Sequence, residues 1–198
     1  MKKWLIPVGI IVVLIAIIAF WSIGIKNTGL KYNQAVNKEW GNVQTAYQRR
    51  NDLIGNLVNT VKGAADFEKS TLTAVIEARA KATAVTIDPN NVTPEQLAQF
   101  NQAQSGVSSS LSRLLVSVEQ YPTLKANENF LKLQDELAST ENQILTARTR
   151  FNESVQEYNG YILSIPNKWF LDYKEKPYFE ASTGADKPVE VKFYKIPV

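Results

Sequence analysis

Cysteine and histidine are both missing from the 198 residues. Their absence excludes a disulfide framework, a thiolate nucleophile, a Cys/His zinc site and a Ser-His-Asp triad. Charge of one sign is scarce as well. No block of five or more like charges occurs, and the longest basic runs are pairs such as Arg49-Arg50. The net charge is +3, from 22 Lys and Arg against 19 Asp and Glu. Lys2 and Lys3 supply two of the basic residues, so the remainder carries 20 against 19 and is close to neutral. A nucleic-acid binder gathers Lys and Arg on one face, and no nucleic-acid partner is expected here. Amides supply much of the polar surface instead, with 16 Asn and 11 Gln. The lack of Cys fits an extracytoplasmic location without requiring one.

Charge is absent altogether from one segment. Between Lys3 and Lys26 every residue is uncharged, and Trp4 to Ile25 form a nearly continuous apolar run of 22 residues. As a helix this run is about 33 Å long, enough to cross a hydrocarbon core of about 30 Å. Trp4 lies near one end and Phe20 and Trp21 near the other, where aromatic rings favour the interface. Pro7 falls in the first turn, where its missing N–H does no harm. A cleaved signal peptide would have a shorter apolar core and a small-x-small site. Ala16 and Ala19 do not form one, so the reading is a single-pass anchor that meets the bilayer through residues 4–25. Lys2 and Lys3 on one side, against Lys26, Lys31 and Lys38 on the other, leave the membrane orientation of the rest undetermined.

The remainder reads as helix in four pieces. From Tyr32 to Lys62, Val36, Trp40, Val43, Tyr47, Ile54, Leu57 and Val61 trace a heptad seam with Arg50 in the vacant position. A second piece, about 67–84, is rich in Ala and carries Leu72, Val75, Ile76 and Arg79 on one face. Asp88-Pro89-Asn90-Asn91 breaks it. Thr93-Pro94-Glu95-Gln96 then reads as a helix start, with Thr93 as N-cap and Gln96 closing a capping box. The third piece repeats Leu97, Phe100, Gln104, Val107, Leu111, Leu114, Val118 and Tyr121 until Pro122 ends it. The fourth runs from near Asn127 to about Leu163 with the stripe Phe130, Leu133, Leu137, Thr140, Ile144, Ala147, Phe151, Val155, Tyr158 and Ile162. Pro166 stops it.

The expected fold class is therefore all-α. An N-terminal transmembrane helix (1–26) precedes an antiparallel, up-and-down four-helix bundle of long, coiled-coil-like helices (27–165). An extended, aromatic-rich C-terminal tail (166–198) follows. Seven of the 34 residues from Ile165 to Val198 are aromatic, and four prolines forbid one continuous helix. Up to Phe179 the tail reads as a strap whose rings lie in grooves of the bundle. Trp169, Phe170, Tyr178 and Phe179 are the candidates for that packing or for a partner interface. Val189 to Tyr194 alternates weakly and is compatible with a short strand.

No catalytic constellation emerges. Asp52, Glu68, Glu77, Glu136 and Glu141 are acidic positions on helices, but a di-metal bundle also needs Glu-x-x-His motifs. No EF-hand spacing occurs. No metal, cofactor or enzymatic activity is expected. Ser108-Ser109-Ser110 has no base beside it, and Asn152-Glu153-Ser154 lies in mid-helix. Arg50 and Arg79 are more informative, because each sits where an apolar residue is called for and a buried charge needs a partner. With helices one and four antiparallel and their midpoints matched, Arg50 faces Glu141, while Glu77 and Glu68 are candidates for Arg79. Such pairs set helix register. The alternative is a ligand-sensing or enzymatic cluster of Arg50, Arg79 and Glu141, or an anion held by Arg49, Arg50 and Arg79, although no glycine-rich phosphate loop accompanies it.

Several stretches resemble the LemA family. They are Tyr32-Asn33, Trp40, Val43, the run Arg49 to Val58 that includes Arg50 and Asp52, Val61-Lys62-Gly63, Glu77-Ala78-Arg79-Ala80, Leu137, Thr140-Glu141-Asn142-Gln143-Ile144, Arg148, Phe151-Asn152 and Tyr158-Asn159. The resemblance spans about residues 30–180. It implies an amino-terminal membrane helix followed by a bundle of four main helices, no established catalytic activity, and a short amino terminus outside with the bundle in the cytoplasm. Members are often encoded beside other membrane proteins, including a TPM-type domain protein and membrane metallopeptidases, which implies an envelope complex. Two departures stand out. Gly55 replaces a frequent Pro, which keeps a local bend plausible. Phe67 replaces a frequent His, so a metal or proton role for that His cannot apply. The expected function is a membrane-anchored, non-enzymatic scaffold of the bacterial cell envelope. Its partners are the bilayer and other envelope membrane proteins, with a homo-oligomer left open. A transporter subunit would need that homo-oligomer, since one spanning helix forms no pathway.

Overall fold

The computed structural model describes residues 4–63 and 67–180. Six helices follow one another: α1 (Leu5–Lys62), α2 (Lys69–Ala84), α3 (Pro94–Val118), a single turn α4 (Pro122–Lys125), α5 (Glu128–Leu163) and a short α6 (Asn167–Phe170). No strand occurs among the described residues.

The apolar N-terminal segment and the first bundle helix are one element. α1 has 58 residues, about 87 Å at the helical rise, and passes through residues 26 and 27 and through Gly55 without interruption. Its first buried residue is Ile25. Residues 4–24 project beyond the four-helix bundle as an apolar rod, with Trp4, Leu5, Ile10, Leu14, Ile17 and Phe20 all exposed. Only 6% of its most apolar window is buried, which sets it apart from the core helix of a soluble protein.

Beyond Ile25 the heptad seam turns inward as its spacing predicts, and Val36, Trp40, Val43, Tyr47, Ile54, Leu57 and Val61 are all buried. α1 and α5 pair antiparallel: Tyr32 meets Tyr161, Trp40 meets Phe151 and Arg50 meets Glu141. α3 runs parallel to α1, with Trp40 and Tyr47 against Phe100 and Arg50 against Gln104. α2 returns between them and brings Arg79 over Gly55. The topology is an up-and-down four-helix bundle. Its start signals are local. Thr93 Oγ1 accepts from Gln96 N at 3.3 Å while Thr93 N donates to Gln96 Oε1 at 3.0 Å, the reciprocal pair expected of Thr-x-x-Gln. Asn127 Oδ1 caps α5 through Phe130 N at 3.1 Å.

The core is divided in two. One apolar cluster surrounds Trp40, Phe100 and Phe151 in the half nearer the rod. The other surrounds Leu57, Leu114 and Phe130 in the far half. Between them lie the buried polar side chains Arg50, Asn51, Gln104 and Thr140. Ile76, assigned to the inner face of the second piece, is exposed, because Leu72, Val75 and Ala82 already fill that side of α2.

Candidate functional site

The Arg50 layer is the only fully buried charge on the bundle helices among the described residues, at 2% exposure. One guanidinium nitrogen donates to Glu141 Oε1 at 3.1 Å and to Ser108 Oγ at 3.3 Å. The other donates to the side-chain oxygen of Gln104. The guanidinium also lies 4.9 Å from the centre of the Tyr47 ring. The apposition with Glu141 is the one implied by matching the helix midpoints. Gln104 and Ser108 were not foreseen as partners, because their approach depends on α3 crossing α1 at this level. Glu141 keeps 47% of its side chain exposed, so the layer opens to solvent on one side.

The other arginines do not join it. Arg79 makes no ion pair among the described residues, contrary to the pairing with Glu77 or Glu68. Glu77 is two positions away on α2 and therefore points to another side, and it is exposed. Glu68 is taken up by the Ser70 and Thr71 hydroxyls at the start of α2. The Arg79 guanidinium instead lies against the bare backbone of Gly55, where an added Cβ would sit 3.5 Å from its carbon. Arg49 is exposed and shares an outer groove between α1 and α5 with Asn142. Asp52 is exposed and accepts from Gln48 Nε2 at 2.9 Å. Arg49, Arg50 and Arg79 thus face three different surroundings and do not converge on one anion. An open groove lies elsewhere, between α2 and α3, lined in part by Ala78, Lys81, Gln99, Ala103, Gly106 and Arg113. Among the described residues no group of three or more carboxylates is placed to hold a metal.

The tail forms a second arrangement. From Leu171 to Glu180 the chain is non-helical and lies along α5. Asn159 grips the main chain at Lys176 with both ends of its amide: Lys176 N donates to Oδ1 at 2.9 Å, and Nδ2 donates to Lys176 O at 2.9 Å. Asn152 does the same at Phe179, at 2.8 and 3.0 Å. The two asparagines are seven residues apart on the helix, about 10.5 Å. Their targets are three residues apart on the strap, about 10 Å when extended. The match lets side-chain amides serve as the missing neighbour strand. Arg148, one turn before Asn152, donates to Glu180 O at 3.0 Å and covers the Phe179 ring at 4.7 Å.

Phe179 is buried and stacks on Trp40 at 5.9 Å, with Phe151 edge-on at 5.3 Å. Lys176 is also buried, and its ammonium donates to the carbonyl of Pro89. Burial lowers its pKa, opposed by Asp88. The strap therefore ties the α2–α3 loop to α5, while Asn90 Oδ1 accepts from Asn37 on α1 at 2.8 Å. Not every tail aromatic takes part. Trp169 is 74% exposed and Tyr178 is also exposed. Phe170 turns to the rod, with its ring 5.8 Å from that of Trp21. Neither Trp169 nor Phe170 occupies the expected bundle groove, because α6 lies where the rod meets the end of α5, with Phe170 against Trp21 and Trp169 exposed. Val189 to Tyr194 lie outside the described residues. The clamp escaped sequence reasoning; its signal was a pair of asparagines seven apart beside the apolar stripe of a helix they do not favour.

The chain is similar to known proteins. Over 172 residues the chain is 28% identical to the magnetosome protein MamQ of Magnetospirillum gryphiswaldense, covering 75% of this chain and 62% of that one. Over 183 residues it is 25% identical to magnetosome protein MamQ 1 of Paramagnetospirillum magneticum, covering 82% and 67%. Over 151 residues it is 25% identical to Protein LemA of Metamycoplasma hominis, covering 76% and 65%. The chain spans about two thirds of the length of these relatives. The model of the LemA family matches residues 39–193, which takes in the bundle from Glu39 on α1 onward together with the strap, and the chain belongs to that family.

Proposed function

We propose that the chain is a single-pass, membrane-anchored scaffold of the bacterial cell envelope, without enzymatic activity of its own. Residues 4–25 cross the bilayer, and the bundle is presented on one side to other envelope membrane proteins. The observation that carries this reading is the exposed apolar rod of α1, which continues into the bundle with no hinge. The part of α1 before Ile25, Leu5 to Gly24, is about 30 Å long, the thickness of a hydrocarbon core. The relatives named as magnetosome proteins support a membrane setting. The inward use of Arg50, whose acceptors are protein groups, favours a structural polar layer over a sensing site.

Two arms test the reading. The full chain should stay with membranes after alkaline extraction, and a chain lacking residues 4–25 should not. A photo-crosslinking side chain at exposed bundle positions, in living cells, should then capture a discrete membrane protein in stoichiometric yield. Capture of neither a partner nor a second copy would refute the scaffold role.

A further inference from the structure

The corner between α5 and α6 carries an apolar surface that the bundle leaves uncovered. Ile165 is 71% exposed and Trp169 74%, and Leu163 beside them is exposed as well. Isolated exposed apolar residues are ordinary, but a contiguous set marks an interaction site. Its place in the fold says what covers it. Phe170 meets Trp21 edge-on at 5.8 Å, about one helical turn. Trp21 on α1 is 17 residues beyond Trp4, the N-cap of that helix, about 26 Å at the helical rise, so the two tryptophans lie near the two faces of a hydrocarbon core of about 30 Å. Phe170 is held at the depth of the upper ring. Tyr161 Oη donates to the carbonyl of Ile25 at 3.0 Å, which fixes the end of α5 to the root of the rod. Leu163 and Ile165 follow that tie on the membrane side. Lys26 and Lys168 are exposed around this patch, where ammonium groups meet phosphates.

We propose that the α5–α6 corner, through Leu163, Ile165, Trp169 and Phe170, inserts into the headgroup–acyl boundary of the leaflet from which α1 emerges. This inference rests on the reading of α1 as a membrane span. The bundle then has two attachments, a spanning rod and an interfacial wedge beside it. Together they keep the bundle from tilting about the rod and set the level at which its surfaces meet other membrane proteins.

The native chain has no cysteine, so single labels are unambiguous. Full-length Trp169→Cys, Ile165→Cys, Val12→Cys and Val116→Cys carry an environment-sensitive fluorophore and are reconstituted into vesicles. The lipids hold a spin-label quencher either high on the acyl chain or near its end. All four positions are exposed in the protein, so labelling does not disturb the core. The labels at 169 and 165 should lose most emission to the shallow quencher, the label at 12 to the deep one, and the label at 116 to neither. Quenching at 12 without quenching at 169 and 165 would overturn the wedge and leave the anchor standing. No quenching at 12 would overturn the anchor, and the wedge with it.

Discussion

Replacing Asn159 by Ala removes both hydrogen bonds that hold Lys176. At about 1 kcal/mol each, the strap loses about 2 kcal/mol against its detached state. Ala also favours helix over Asn by roughly 0.5 kcal/mol, so the global midpoint moves less than the strap does. The helix stays folded when the strap lifts, so propensity does not enter the local opening. The two readouts should therefore diverge. Amide exchange in the detergent-solubilised full chain should accelerate about 30-fold at Lys176, since 1.4 kcal/mol is tenfold, and speed up at Phe179 too. Amides in the middle of α5 should change little. Unchanged protection at Lys176 in Asn159→Ala, or equal loss throughout α5, would refute the idea that the asparagine holds the strap.

Three further outcomes are expected. Arg50→Ala should cost about 3–5 kcal/mol in urea unfolding, because it strands the Gln104 amide and opens a cavity, while Glu141→Gln at its half-exposed site should cost under about 1 kcal/mol. Gly55→Ala should stabilise by about 1 kcal/mol through helix propensity, since the new methyl meets Arg79 at ordinary contact distance; a lower urea midpoint would mean that the guanidinium requires the bare backbone. Burial holds the Lys176 pKa below its ordinary 10.5, so the unfolded chain keeps that proton to higher pH and stability rises as pH climbs through the folded pKa. Tyr158 opposes this only beyond 10.0, because its raised phenol pKa gives stability that is lost as pH rises through the folded value. Melting curves across the alkaline range below 10.0 should show the rise in the native chain and a flatter profile in Lys176→Met.

Much of the architecture was legible because helical burial is periodic. The 3-4 spacing around Trp40, Leu111 and Phe151 chose the inward faces, and Thr93 and Asn127 announced their helices through bonds made within one turn. The Arg50–Glu141 apposition followed from taking the two helices as antiparallel with midpoints matched, since the part of α1 from Ile25 to Lys62 is close to α5 in length and their middles lie side by side. The fate of Arg79 was not legible. Its surroundings depend on how closely α2 approaches Gly55, a distance no local pattern encodes.

The sequence by itself determined the apolar rod, the four helices, their inward faces and the polar interruption at Arg50. These are properties of local spacing and of charge against hydrocarbon. Only the tertiary structure decided that the rod and first bundle helix are one element, that Asn152 and Asn159 grip the strap, and that Phe170 joins Trp21 while Phe179 joins Trp40. An amide or a phenyl ring carries no record of which distant backbone or ring it will meet. That choice is made when packed helices leave one groove and one exposed edge in reach.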